Sequence, residues 1–378
     1  MAIEAGVGLV LPSIPLRHKD DLVVYNQGNS TAERQFEEWF DQKHAVSSMG
    51  QTCPQLKVIA QEDLQAGDRD SMRRVENRWS LDVHSTRFFR ERNGHFWAGK
   101  PFKAFFEEGL AQLREKKHSG KKHVKDKSMT IQKHLENEAE TAEEASTTVT
   151  IVGMRADLEL FNIANDPTGH DRHLWDDLGK ALRFLEAPRA IVDRLLRQIG
   201  DERFFAVGFR GESNNMPESI KQQISENFDA LDRAWESYRA MPEMAAYDSD
   251  KRPLVYLACG DEGQAQAFAE EGRGRGWNVT HKYALAEAMS NDGAVENISA
   301  LPFDFEAIVD LGMLVKSYFF VGLMSSAFSY TVANMRDPTT RYRGSSFAMW
   351  EDGGARTHLL PNNDIHGETM MEKYACCL

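Results

Sequence analysis

Leu314-Val-Lys-Ser-Tyr-Phe-Phe-Val-Gly-Leu-Met-Ser-Ser-Ala-Phe-Ser-Tyr-Thr-Val-Ala-Asn-Met-Arg336 is the segment around which the rest of the chain can be read. Tyr318 to Val321 is a short run of aromatic and β-branched residues, Gly322 punctuates it, and from Ala327 apolar residues recur at helical spacing. The pattern predicts strand, tight turn, helix. Ser325 and Ser326 fall where that helix begins, so their hydroxyls, the unpaired N–H groups of the first turn and the positive end of the helix dipole converge on one point. A phosphate fits such a point, although a serine pair at a helix start is more often only an N-cap.

Outward from this segment, strands and helices alternate through the whole second half. Phe204 to Phe209 reads as a strand, Pro217 to Ala240 as a long amphipathic helix carrying Ile220, Ile224, Phe228, Leu231 and Trp235, and Leu254 to Ala258 as a buried strand. Gln264 to Glu271 is a helix, Trp277 to Thr280 a strand, and Asp304 is placed to cap a helix that ends near Ser317. Such alternation predicts an α/β fold with a parallel, doubly wound sheet. Ligands of these sheets sit outside the carboxyl ends of the strands. That rule selects Arg210 after the first strand, Asp261 and Glu262 after the second, and Ser325 and Ser326 after Tyr318–Val321. An arginine fork beside a serine-lined helix start suits a diphosphate leaving group, whose oxygens gain charge as the bond to the sugar breaks. Singly, each of these residues is more often a surface charge or a cap. Asp310, inside an otherwise apolar helix face, either meets a base or ribose hydroxyl or lies on a solvent-facing turn.

The first half is less regular. Gly8 to Ser13 reads as a strand entered through Gly6 and Gly8, Thr31 to Phe40 as a helix with Phe36, Trp39 and Phe40 on one face, and Leu56 to Ala60 as a short strand. Pro101 opens a helix whose stripe is Phe102, Phe105, Phe106, Leu110 and Leu113. Residues 116 to 147 pass from a lysine cluster to a glutamate cluster, the composition of a charged surface insertion. A strand resumes from Thr148 to Gly153, and Trp175 to Gly200 reads as a helix broken at Pro188. The expected organisation is a domain over 1–180, a second over 181–360, and a tail over 361–378.

Composition agrees with an enzyme of ordinary type. The chain has 378 residues, long for one core, with 41% apolar and 27% charged residues. A net charge of −13 excludes a nucleic-acid surface, which phosphates hold through Lys and Arg. No run approaches a membrane span, and Glu4 stands where a signal peptide carries positive charge. Four scattered cysteines (Cys53, Cys259, Cys376, Cys377) make neither a disulfide scaffold nor a zinc ribbon. His170 and His173 have a spacing that could share a metal, but with no third ligand evident no metal site is expected.

The ordered set Phe204-Phe-Ala-Val-Gly-Phe-Arg-Gly-Glu-Ser-Asn214, Val255-Tyr-Leu-Ala-Cys-Gly-Asp261, Asp310, Phe320-Val-Gly-Leu-Met-Ser-Ser-Ala-Phe-Ser329 and Arg336 resembles the C-terminal half of protein O-fucosyltransferase-like proteins, especially their fungal branch. Gly6 to Ser13, Phe40-Asp41, Cys53-Pro54-Gln55-Leu56 and Phe161-Asn-Ile-Ala-Asn-Asp-Pro-Thr-Gly169 are similar to the front half of that branch. The resemblance implies a GT-B glycosyltransferase, with two Rossmann-like domains facing across a cleft. It implies GDP-fucose as donor, a protein or glycan acceptor, inversion and no required metal or cofactor. By position, Arg210 would neutralise the β-phosphate, Ser325, Ser326 and Ser329 would line the diphosphate, and Phe328 would lie near the guanine. Gly6 and Gly8 would let the backbone approach closely at the front loop. The family is usually lumenal, in endoplasmic reticulum or Golgi.

Three features depart from the family pattern. Gly208 stands where a histidine is ordinary, Ala327 separates Ser326 from Phe328, and Met1 lies only a few residues ahead of Gly6. Three functions therefore stay open: an active fucosyltransferase, a descendant that binds nucleotide or sugar without transfer, and another nucleotide-sugar enzyme on the same fold.

Overall fold

The computed structural model describes residues 2–16, 33–60, 75–83, 96–97, 100–119, 129–134, 149–156, 179, 181–211, 217–239, 241, 251–289, 293–323, 326–336 and 356–360. The chain divides into two compact units, Met1–Ser13 with Gln42–Arg183, and Ile14–Asp41 with Phe184–Leu378. Both mix helix and strand, and the protein is an α/β protein with parallel sheets.

In the first unit α1 (Ala2–Ala5) turns at Gly6 into β1 (Leu9–Val10), which pairs in parallel with β4 (Val58–Ile59) beside α2 (Gln42–Thr52). The remaining strands of this unit are β5 (Val75–Val83), β6 (Phe96–Trp97), β7 (Lys100–Pro101), β8 (Met129–His134) and β9 (Val149–Ala156). β5 is the centre of a mixed sheet, antiparallel to β8 and parallel to β9. Helix α3 (Phe102–Ser119) starts one residue after Pro101, as the proline predicts; Phe106 is buried in it. Of the expected charged insertion, residues 120–128 and 135–147 lie outside the described residues.

The second unit takes in an early piece of chain, β2 (Ile14–Pro15) and β3 (Glu33–Arg34) followed by a 3-10 turn at Phe36–Glu38. Over the described residues 33–40, the helix expected across Thr31–Phe40 is instead a short strand and a single tight turn. Its aromatic residues still find a core, because Trp39 stacks on Phe305 at 4.6 Å and Phe40 on Phe184 at 4.9 Å. Those contacts close a cluster with Leu16 and Ile308.

The main body follows in order: α4 (Glu186–Ile199), β10 (Phe205–Gly208), α5 (Pro217–Tyr238), β11 (Val255–Ala258), α6 (Glu262–Gly274), β12 (Val279–Thr280), α7 (Lys282–Ala288), α8 (Ala294–Ser299), α9 (Phe303–Lys316), β13 (Phe319–Leu323), α10 (Ala327–Arg336) and β14 (Thr357–Leu360). Pro188 lies in the first turn of α4 and breaks nothing, since a first-turn residue needs no N–H partner. Pro302, not Asp304, occupies the N-cap of α9, and Asp304 is buried in its first turn. Gly322 lies within β13 and does not end it.

The five strands are all parallel, in the spatial order β12-β11-β10-β13-β14. Strand alternation gives the sheet two faces. Phe205, Val207, Val255, Leu257, Phe319, Val321 and Leu323 join Ile220, Ile224, Phe228, Leu231 and Trp235 of α5 in the main core. Ala206, Gly208, Tyr256, Phe320 and Gly322 form the other face, against which α9 and α10 pack.

At the amino edge of the sheet the Arg336 guanidinium gathers the ends of three elements. It donates to the carbonyls of Leu314 (2.9 Å), Val315 (3.0 Å) and Ser317 (2.6 Å), to those of Tyr318 (3.2 Å) and Arg356 (2.9 Å), and to the hydroxyls of Ser317 (2.8 Å) and Thr357 (3.0 Å). The last carbonyls of α9 have no partner inside their helix, so one side chain caps α9 and ties β13 and β14 together. Replacing Arg336 by Gln is expected to lower the stability of the folded chain by about 3–5 kcal/mol, because the lost bonds are charge-assisted and partly buried. A urea midpoint unchanged by that substitution would contradict the assignment.

His358 on β14 is buried beside Val321, and its pKa is lowered to about 4, first by burial and then by Arg233. The folded chain thus holds this imidazole neutral, while the unfolded chain protonates it near 6.5. The stabilisation is complete above pH 6.5 and drains away as pH falls toward 4, by about 3 kcal/mol at most. His358→Leu is expected to flatten that part of the stability profile, read as the difference between the two proteins' urea midpoints at pH 7 and pH 4.5.

Candidate functional site

The strand order converts to sequence order 3-2-1-4-5 within the second unit, so the chain winds outward in both directions from β10. The reversal lies between β10 and β13, and the carboxyl ends of these two strands form the switch point at which ligands of such sheets bind. The register that pairs Val207 with Val321 sets Gly208 level with Gly322, so the turns leaving these strands stand side by side. Arg210 leaves β10 and Ser326 leads into α10, which places both at this switch point.

Arg210 is exposed, and its backbone N–H donates to Oε1 of Gln223 at 3.2 Å, which fixes the turn while leaving the guanidinium on the surface. Ser326 Oγ accepts from the Ser329 N–H at 3.3 Å and caps the start of α10. Phe328 is half-buried in the first turn and Ser329 is buried against the sheet. Ser325 lies outside the described residues.

Two glycines let α10 sit this low. A Cβ on Gly322 would stand 2.6 Å from Ser329 Oγ, and one on Gly208 would stand 3.1 Å from the same oxygen and 3.2 Å from the Phe320 ring. A side chain at position 208 would therefore press on Ser329 and Phe320, which would have to give by a few tenths of an ångström. Ser329 and Phe320 are the groups closest to that position.

The other residues selected from sequence separate from the switch point. Asp261 is the N-cap of α6, its carboxylate accepting from the Gln264 N–H at 2.8 Å. Asp310 is neither solvent-facing nor open to a ligand. It is buried, with Oδ1 accepting from the Tyr256 hydroxyl at 2.6 Å and Oδ2 from the Lys282 ammonium at 2.6 Å. Lys282 also lies 3.7 Å from Glu306, which accepts from the Tyr283 hydroxyl at 2.7 Å. Burial acts to lower the Lys282 pKa, but Asp310 and Glu306 outweigh it and hold the ammonium charged. Burial first, then Asp310, raises the Tyr256 hydroxyl well above its ordinary range, so it stays a donor. Gly6, with φ of 68°, and Gly8, whose Cβ would stand 3.0 Å from the Lys57 carbonyl, belong to the first unit.

Lys282 was missed in the sequence, although a signal existed. Lys282, Leu285 and Ala286 share one face of a short helix, and all three are buried. A lysine in an apolar stripe requires a buried carboxylate.

The class defined so far is an α/β protein whose second unit carries a Rossmann-type parallel sheet with a cationic turn and a helix start at its switch point. No protein-family model and no curated protein matches the chain. Among solved structures the chain is similar to POFUT1 in complex with GDP-fucose, at 12% identity over 89% of this chain and 87% of that one, with a TM-score of 0.37. It is similar to POFUT1 in complex with GDP at 11% identity over the same shares, with a TM-score of 0.35. At that level of likeness neither donor nor reaction carries over.

Removing Asp310 alone leaves the buried Lys282 ammonium with only the longer Glu306 contact and takes away the acceptor of the Tyr256 hydroxyl. Asp310→Ala is expected to cost about 3–5 kcal/mol, whereas Lys282→Met with Asp310→Leu and Tyr256→Phe should cost far less, because the whole buried polar group is replaced by apolar volume. Equal losses in urea unfolding would show that the pairing is not what the fold needs.

Proposed function

We propose that the chain is a GDP-fucose-dependent glycosyltransferase of the protein O-fucosyltransferase kind. The observation that carries the reading is the placement of Arg210 and the Ser326 helix start on adjacent strand ends at the switch point. A diphosphate lying there meets the Arg210 guanidinium, carried on a turn held by Gln223, and the positive end of α10. In the transfer, the acceptor hydroxyl oxygen bonds to the anomeric carbon from the face opposite the diphosphate. The bond from that carbon to the diphosphate oxygen breaks, its electron pair leaves with GDP, and the hydroxyl proton is lost to the medium. Configuration inverts. Arg210 and the helix N-terminus carry the charge that a metal carries in other transferases, so the reading needs no metal.

The donor, the fungal branch and a lumenal setting rest on the sequence resemblance alone, as does assigning the acceptor, a protein or glycan, to the first unit. A second reading has its own support. A glycine at 208, tightly packed by Ser329 and Phe320 where the family ordinarily has a histidine, favours a chain that binds GDP-sugar without transferring it.

Titration calorimetry with GDP, GDP-fucose, GDP-mannose and UDP tests the donor. Selective binding of GDP and GDP-fucose is expected, and Arg210→Ala should weaken GDP by about ten- to a hundredfold, the worth of a charge-assisted phosphate contact. An Arg210→Ala protein that binds GDP as tightly as its parent would sink the proposal. Release of fucose from GDP-fucose, with or without an acceptor, separates an enzyme from a binding protein.

A further inference from the structure

Phe209, Arg210 and Gly211 carry the chain away from β10 at the switch point, and each is held by a different contact. The Phe209 N–H donates to the Ala258 carbonyl of β11 at 2.9 Å, and its buried ring lies 5.3 Å from that of Phe268 on α6. Gly211 is buried, and a Cβ there would stand 2.9 Å from Gln264 Cβ and 3.1 Å from Cys259 Sγ. Those two neighbours are themselves fixed. The Gln264 N–H donates to the Asp261 carboxylate at 2.8 Å, and Cys259 Sγ donates to the Asp261 carbonyl at 3.2 Å. Between Phe209 and Gly211, the Arg210 N–H lies beyond the end of the β10 ladder, and Oε1 of Gln223 on α5 accepts it at 3.2 Å.

Gln223 differs in this from the glutamine beside it. Gln222 keeps its side chain within the helix, donating to Glu226 one turn on at 2.6 Å, whereas half-buried Gln223 reaches out of α5 to a residue 13 positions earlier. The contact is to backbone, so it sets the path of the turn and leaves all five N–H donors of the exposed Arg210 side chain unspent by it. A guanidinium serves an anion best when the backbone beneath it is already in place, because a loose turn has to be ordered as the ligand binds. The turn is therefore clamped from two sides, by α6 through Gly211 and by α5 through Gln223.

We propose that Gln223 is a positioning residue for the switch-point site, holding the turn that aims the Arg210 guanidinium at the diphosphate. The inference rests on the reading of Arg210 as a diphosphate contact given above. Gln223 acts on binding through Arg210 alone, so its worth to the ligand disappears when that guanidinium is removed.

The test is a double-mutant cycle on the full chain, with GDP titrated calorimetrically. Gln223→Met keeps the length of the side chain and Gln223→Ala removes it; both suit a helix and neither offers the oxygen acceptor. Each is expected to weaken GDP by about three- to tenfold, the worth of one neutral hydrogen bond, with an unchanged urea midpoint. In the Arg210→Ala background the same substitutions should change GDP affinity by less than about twofold, whereas a general defect of the fold would weaken binding equally in both backgrounds. GDP binding as tight as the parent's in both Gln223 variants, or an equal loss with and without Arg210, overturns the positioning role. If Arg210→Ala alone is still weakened, the reading of the site survives that failure; if Arg210→Ala binds GDP as the parent does, both fall together.

Discussion

The Arg336 guanidinium is the point on which the second unit depends. A parallel strand has no hairpin to hold it, and β14 follows β13 only after a long excursion. What secures its start is a side chain at the end of α10 that reaches the carbonyls of Arg356 and Tyr318 and the hydroxyl of Thr357. The same group closes the exposed end of α9. One charge therefore sets three elements in register at the amino edge, and the carboxyl edge inherits that order.

A second polar device acts on one face of the sheet. Tyr256, Asp310 and Lys282 bind β11, α9 and α7 to each other through two bonds of 2.6 Å. Burying a charged pair gains little free energy over apolar packing, but separating its partners is costly, so the three elements are held together. Arg336 fixes where α9 ends and Asp310 fixes which way it faces. Between them α10 is free to drop onto Gly208 and Gly322, and its first turn arrives at the switch point.

The residues selected from sequence divide by the kind of reasoning that selected them. Arg210 and Ser326 follow from a local rule, that turns after parallel strands open on one edge, and the structure sets them on neighbouring strands. Asp261 follows from the same rule, yet its carboxylate is taken up by the Gln264 N–H three residues on. Asp310 resists any local rule, because its partners lie 28 and 54 residues away in sequence. The stripe on α5 was fully legible, since Ile220, Ile224, Phe228, Leu231 and Trp235 repeat at helical spacing and all are buried. Thr31–Phe40 misled because its aromatic residues imitate a helical stripe while packing from a tight turn.

By itself the sequence determined the alternation of strand and helix, the apolar faces and the turns that could meet an anion, because these depend on neighbours within a few residues. Only the tertiary structure decided the order β12-β11-β10-β13-β14, the membership of β14, and the packing of Trp39 against Phe305. It also decided that Gly322 meets Ser329 too closely to carry a side chain and that Asp310 belongs to Lys282. The reason is the same in each case. Strand order, close approach and buried charge are settled by groups far apart in the chain, and no local period records which of them will meet.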